Sequence, residues 1–172
     1  MRVPGIGGPR RVLAAVLVTL AERGLVVEAA APIIASDPLG PSRRRYANGA
    51  VIVASNLAPP DLLGLVQGVE RVFGRSRRGA RWRARPLDID IVLWSGGLWS
   101  SKGLAIPHPE FRRRDFVLDP ATAIAARWRD PRGSASLAHL HARLTRPSPL
   151  PRSRPCPNGS GALSSVGRAT DF

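Results

Sequence analysis

The chain has 172 residues, 44% of them hydrophobic, which is enough for one domain with a real core, too little for two of ordinary size, and inconsistent with wholesale disorder. Its net charge of +14 rests almost wholly on arginine, Lys102 being the only lysine, a balance that either a polyanion-binding surface or GC-rich coding would produce. The single cysteine, Cys156, excludes a disulfide framework and a cysteine-based zinc site, the three histidines are too scattered for a metal cluster, and no apolar run reaches the length of a membrane span.

Residues Met1 to Pro9 carry three glycines and two prolines without any period and read as a flexible lead-in. Leu13, Val16, Leu17 and Leu20 fall at helical spacing, so a helix is predicted from Arg10 to Arg23, with Gly24 as its stop. The apolar run Val12 to Ala21 imitates a signal peptide, but Glu22 and Arg23 interrupt it and the small residues Ala29 to Ala31 come late, so a cytoplasmic protein is expected. Leu25 to Ile34 reads as a strand weakened by Pro32, as at an edge or a strand end. Ser36 to Tyr46 is a loop, and Tyr46 to Ser55 is a second strand entered through Asn48, whose amide can both donate and accept. Pro59, Pro60 and Asp61 open a second helix with a core face of Leu62, Leu65, Val66, Val69 and Phe73. Gln67 and Glu70 lie three apart on a neighbouring face, and Gly74 ends the helix.

Six arginines then surround Trp82 between Arg75 and Arg85. That density repels itself unless solvent or an anion occupies it. The stretch Arg81 to Trp94 continues from this loop into a predicted strand in which Asp88 and Asp90 alternate with Leu87, Ile89 and Ile91. Alternation places both carboxylates on one face and the three aliphatic side chains on the other. Paired hard-oxygen ligands beside guanidinium groups suit magnesium and phosphate together. A hairpin-like turn is predicted at Ser95 to Gly97, with Leu98 and Trp99 beyond it. His108 sits between two prolines that restrict its backbone, and Arg112, Arg113 and Arg114 follow closely, which together suggest anion binding. Short helices are predicted at Pro120 to Arg127 and Leu137 to Leu144. From Pro147 the chain lacks apolar period, so residues 148–172 are expected to be a disordered tail, dispensable for stability.

These residues together resemble the 6-hydroxymethyl-7,8-dihydropterin pyrophosphokinase family of folate biosynthesis. The likeness runs from Arg10 to Pro147, a single domain. Its most specific part is Arg81-Trp82, Arg85 and Leu87-Asp88-Ile89-Asp90-Ile91; supporting it are Pro38-Leu39-Gly40, Tyr46 with Asn48, Gln67 with Glu70, Gly74-Arg75, Ile106-Pro107-His108-Pro109 and Arg114 with Phe116. The resemblance implies an α+β fold, a ferredoxin-like α/β sandwich with a mainly antiparallel sheet. It implies transfer of diphosphate from ATP to the pterin's hydroxymethyl oxygen with release of AMP.

On the same grounds Asp88 and Asp90 would bind two Mg2+ ions, and Arg75, Arg85 and Arg114 would hold the phosphates, assisted by Arg77 and His108. Gln67, Glu70 and Ile91 would line the ATP site. Asn48 would read the pterin edge, Phe116 would stack on its ring, and Leu39 and Trp82 would close the pocket. Small-molecule substrates, no nucleic acid, no membrane and a monomeric protein are expected. The family's usual first strand, ending in Gly-Ser-Asn, is not recognisable before the first helix, so the true start is expected to lie upstream. Two other readings are an inactive, truncated relative and a basic ferredoxin-like module binding RNA. Against the RNA reading, the strands lack the exposed aromatic pairs that stack bases, and paired acids would repel phosphate without a metal.

Overall fold

The computed structural model describes residues 5–36, 46–74 and 87–147. Helix α1, Pro9–Glu22, opens on a proline whose missing N–H costs nothing at that position. It stops before Gly24, which takes a φ of +87° that suits glycine best. Val12, Val16 and Leu20 form its buried stripe. This is the predicted helix, moved by one residue at each end.

The two predicted strands each divide in two. Strands β1 (Val26–Ala30) and β2 (Ile34–Ser36) are separated by Ala31 to Ile33, with Pro32 in the gap; β3 (Tyr46–Asn48) and β4 (Val51–Ala54) are separated by Gly49 and Ala50. β1 pairs antiparallel with β4 and β2 with β3, through partners such as Ala30 with Val51 and Ile34 with Asn48. Between the two ladders Ala31 N–H donates to the Ala50 carbonyl at 2.8 Å. The four pieces thus make one long interrupted antiparallel ribbon. Helix α2, Pro59–Val72, carries Asp61 in its first turn, where a carboxylate favours the helix dipole, and buries Val66, Val69 and Glu70.

Two cores result. In the first, Val12, Val16 and Leu20 of α1 meet Val66, Val69 and Phe73, with Leu25 and Leu87. Ile6, Val53 and Ile89 pack against them. The second comprises Phe111, Leu118, Ala125 and Leu137, with Ile52, Val92, Leu93 and Leu140 against it. Residues 87–94 and β4 each feed both cores, so they bridge the domain.

Residues 87–94 differ from expectation. Burial does alternate, Leu87 inside, Asp88 and Asp90 exposed, Ile89 and Ile91 half-buried, but the segment joins no ladder among the described residues. A strand needs a hydrogen-bonded neighbour, and two of this segment's backbone groups bond elsewhere: Ile89 N–H to Glu70 Oε1 at 2.8 Å, and the Val92 carbonyl to His108 N–H at 3.0 Å. The turn at Ser95 to Gly97 closes as predicted, with Gly97 N–H on the Trp94 carbonyl at 3.0 Å. It does not return the chain onto residues 87–94. Instead β5 (Trp99–Ser101) pairs forward with β6 (Leu104–Ile106), across Lys102 and Gly103.

A 3₁₀ turn at Phe111–Arg113 leads to helix α3, Asp115–Ala125. This helix starts five residues before the predicted Pro120. Arg114 is its extended cap, Asp115 puts an acid in the first turn, and Pro120 lies inside the helix, where it gives up its own hydrogen bond and its ring crowds the Phe116 carbonyl. Helix α4, Leu137–Thr145, matches its prediction and is capped by Ser136, whose hydroxyl accepts from His139 N–H at 3.2 Å. The fold is α+β, every described ladder being antiparallel. Among the described residues no helix is long and apolar enough to cross a membrane.

Candidate active site

The site grows from the way residues 87–94 are fixed. Leu87 is buried in the first core, and Glu70, only 1% exposed on α2, holds the Ile89 amide with one carboxylate oxygen. Three residues later His108 N–H holds the Val92 carbonyl. Asp90 lies between these two ties with its side chain 42% exposed, and Asp88 is exposed one alternation earlier. The backbone is anchored while both carboxylates reach outward.

Two nitrogen donors meet Asp90. His108 Nε2 and Arg114 Nη1 each stand 3.8 Å from the same oxygen, Oδ2. His108 Nδ1 accepts from the Glu110 N–H at 3.2 Å, so in the neutral ring the proton sits on Nε2 and faces Asp90. Arg114 is set by its place as the cap of α3, and its guanidinium lies 5.9 Å from the centre of the Phe116 ring. At 3.8 Å both contacts are longer than hydrogen bonds, and all three side chains are partly exposed. Such pairs bind weakly, so Arg114 and His108 can turn to a second anion without a large loss.

The remaining expected site residues are placed as follows. Asn48, half-buried on β3, donates from Nδ2 to Ser36 Oγ at 2.7 Å, and no described contact joins it to the Asp90 group. Gln67 is half-buried on α2, one turn before Glu70, and Ile91 is half-buried beside Asp90 in sequence. Phe116 is half-buried at the start of α3. Leu39, Arg75, Arg77, Trp82 and Arg85 lie outside the described residues.

Hard carboxylate oxygens on a partly exposed segment fit Mg2+, which takes one or two carboxylates and completes its octahedron with water and phosphate oxygens. Among the described residues no group of three His, Cys, Asp or Glu side chains could hold a metal ion alone. A site of this kind accordingly suits an ion that shares its coordination with a phosphate ligand.

One pair escaped the sequence reading and corrects it. Arg112, grouped there with its neighbours as anion-binding, instead makes a bidentate contact with Asp130: Nε to Oδ2 and Nη2 to Oδ1, both 2.5 Å. Its guanidinium also stacks 4.6 Å from the Phe111 ring centre. Nothing in the local pattern marked Asp130, 18 residues away, as the partner.

Burial pushes the Asp130 carboxyl upward, but hydrogen bonds from Arg112 and the Arg132 amide, with both arginine charges, more than offset it and hold it below the usual range. A depressed folded value stabilises the protein above the unfolded value of about 3.9 and loses that contribution as pH falls through the folded one. Unfolding free energy is therefore expected to drop below roughly pH 4. The variant Asp130→Asn should be less stable at neutral pH and show a shallower acid decline in denaturant titrations. An unchanged decline would contradict this role.

A family model described as 7,8-dihydro-6-hydroxymethylpterin-pyrophosphokinase matches residues 5–126. Among curated proteins, the chain is similar to the 2-amino-4-hydroxy-6-hydroxymethyldihydropteridine pyrophosphokinase of Synechocystis sp., 36% identical over 117 residues, covering 68% of this chain and 60% of the relative. The enzyme of the same name from Pseudomonas aeruginosa is 42% identical over 106 residues, 61% of this chain and 65% of the relative. A folate synthesis bifunctional protein of Arabidopsis thaliana is 37% identical over 76 residues, 44% of this chain and 16% of the relative. The chain thus spans 60% and 65% of the length of the first two.

Proposed function

The chain belongs to the 7,8-dihydro-6-hydroxymethylpterin-pyrophosphokinase family, and from that premise we propose that it transfers the diphosphate of ATP to the hydroxymethyl oxygen of 6-hydroxymethyl-7,8-dihydropterin, releasing AMP, a step of folate biosynthesis. The observation that carries this reading is Asp90, held between two backbone ties with His108 and Arg114 at 3.8 Å, inside the matched residues.

Diphosphate transfer needs little covalent help from the protein; positioning and electrostatics supply most of it. Asp88 and Asp90 hold the metal, two Mg2+ ions by the family likeness. Held there, the metal would supply charge neutralisation for the phosphates of ATP. Arg114 and His108 take the phosphate oxygens as these approach Asp90, and Arg75, Arg77 and Arg85 hold the rest of the chain of phosphates. Glu70 acts from below by keeping the Ile89 amide, and so Asp90, in place, while Gln67 and Ile91 border the nucleotide. Asn48 would read the pterin edge and Phe116 would stack on its ring, with Leu39 and Trp82 helping to close the pocket.

The same reading makes the protein a cytoplasmic monomer with small-molecule substrates and a ferredoxin-like sandwich. In that sandwich a strand would run between β4 and residues 87–94. Both flanks supply side chains to the same two cores, and the pairing described for β4 is to β1 alone. The test is AMP formation from ATP by the purified protein. Activity should require both the reduced pterin and Mg2+. AMP release that ignores the pterin, or no release at all, contradicts the proposal.

A further inference from the structure

Arg112 and Asp130 lie off the site, yet they flank what builds it. From His108 to α3 the backbone runs as a series of short bonds: the His108 carbonyl accepts from Phe111 N–H at 3.2 Å, Glu110 from Arg113 at 3.0 Å, and Phe111 from Arg114 at 3.4 Å. The Arg114 carbonyl then accepts from Val117 and Leu118 at 3.1 and 3.0 Å. His108 and Arg114, the two residues whose side chains stand at Asp90, are therefore the two ends of one tight turn.

A 3₁₀ turn has poor hydrogen-bond geometry and does not hold itself. It needs outside anchors, and it has two. Phe111 is fully buried in the second core, and Arg112 grips Asp130 through two nitrogens. Asp130 is itself immobilised. It is 3% exposed, its N–H bonds the Ala135 carbonyl at 2.8 Å, its carbonyl accepts from Ser134 at 2.8 Å, and its Oδ1 accepts from Arg132 N–H at 3.0 Å. That turn in turn leads into α4, whose Leu137 sits in the same core as Phe111.

We infer that Asp130 is a positioning residue for diphosphate transfer: by clamping Arg112 it sets the turn that fixes His108 and Arg114 on Asp90. It also sorts the arginines. Of three consecutive guanidiniums, Asp130 takes Arg112 inward, leaving Arg114 as the one that meets Asp90. Without it, Arg112 would be an unpaired cation beside the site, able to compete for Asp90 or for phosphate. This inference rests on the proposed function for its catalytic readout, but not for its structural one.

The experiment compares wild type, Asp130→Asn and Arg112→Lys at a temperature where circular dichroism shows all of them folded. Asp130→Asn is expected to lower kcat on the order of 10–100-fold, the usual range for residues that orient a site from outside it, with KM for the pterin unchanged. Arg112→Lys keeps the charge but not the two-pronged fork, so its kcat should fall between the two. A lower melting temperature with kcat unchanged would show a purely structural role and overturn the inference. Isotope-edited NMR supplies a second readout. The His108 ring and Arg114 guanidinium signals should shift in both variants, while the amides of α1 stay in place, and static His108 and Arg114 signals would overturn it. If wild type shows no transfer, the proposed function fails while the NMR comparison still decides this point. If Asp130→Asn does not fold, Arg112→Lys decides it.

Discussion

Asp90→Ala is expected to lower kcat/KM by about 10³-fold or more while the protein stays folded. The fold should tolerate the change because the side chain is 42% exposed and its ionic contacts are long; surface substitutions of that kind usually stay within about 0.5 kcal/mol. The catalytic loss follows from chemistry. In the proposed function the carboxylate would be one of two hard ligands for magnesium, and metal stabilisation of transferring phosphate amounts to several kcal/mol, at roughly 1.4 kcal/mol for each factor of ten. Asp90→Asn keeps the shape and removes the charge, so it should fail almost as badly. Asp88→Ala should behave alike. Steady-state kinetics across Mg2+ concentrations checks all three, and near-wild-type turnover in any of them would remove that residue from the metal site.

Phe111→Ala is expected to cost about 3–5 kcal/mol of stability, a large part of the roughly 5–15 kcal/mol that domains typically have. The ring is fully buried among Leu118, Ala125 and Leu137, and the Arg112 guanidinium stacks over it. Truncation leaves a cavity between α3 and α4, lined by Leu118, Ala125 and Leu137. It also removes the surface on which Arg112 lies. Denaturant unfolding should show a lower midpoint with little change in slope. A loss below about 1 kcal/mol would mean that the second core does not depend on this ring.

Local signals accounted for much of the fold. A 3.6-residue apolar stripe with glycine past the end located α1, and Pro59-Pro60-Asp61 with Gly74 located α2, each to within a residue or two. Alternation around Asp88 and Asp90 gave the correct burial of each residue from Leu87 to Ile91. What local signals cannot encode is pairing partners. The same alternation predicted a strand at residues 87–94, yet the described backbone bonds there go to a glutamate side chain and a histidine amide. The helix predicted from Pro120 begins instead at Asp115, with Arg114 as its cap.

The candidate site divides in the same way. Asp88, Asp90, His108 and Arg114 could be named from residue type and order, and Asp90, His108 and Arg114 do converge. The separation of Arg112 from Arg114 could not be foreseen, because three successive arginines look alike until a buried aspartate 18 residues on selects one of them. By resemblance Glu70 was expected to line the ATP site, whereas its buried carboxylate accepts from the Ile89 amide, a tie that only packing of α2 against residues 87–94 could establish.

The central claim is that two phosphoryl groups move together. Phosphorus NMR of the chain with ATP, Mg2+ and the reduced pterin tests this most directly. The account predicts AMP and a pterin diphosphate ester appearing in equal amounts, with both transferred phosphorus atoms in the ester. Formation of ADP with a pterin monophosphate, or of inorganic diphosphate with the pterin unmodified, would contradict it.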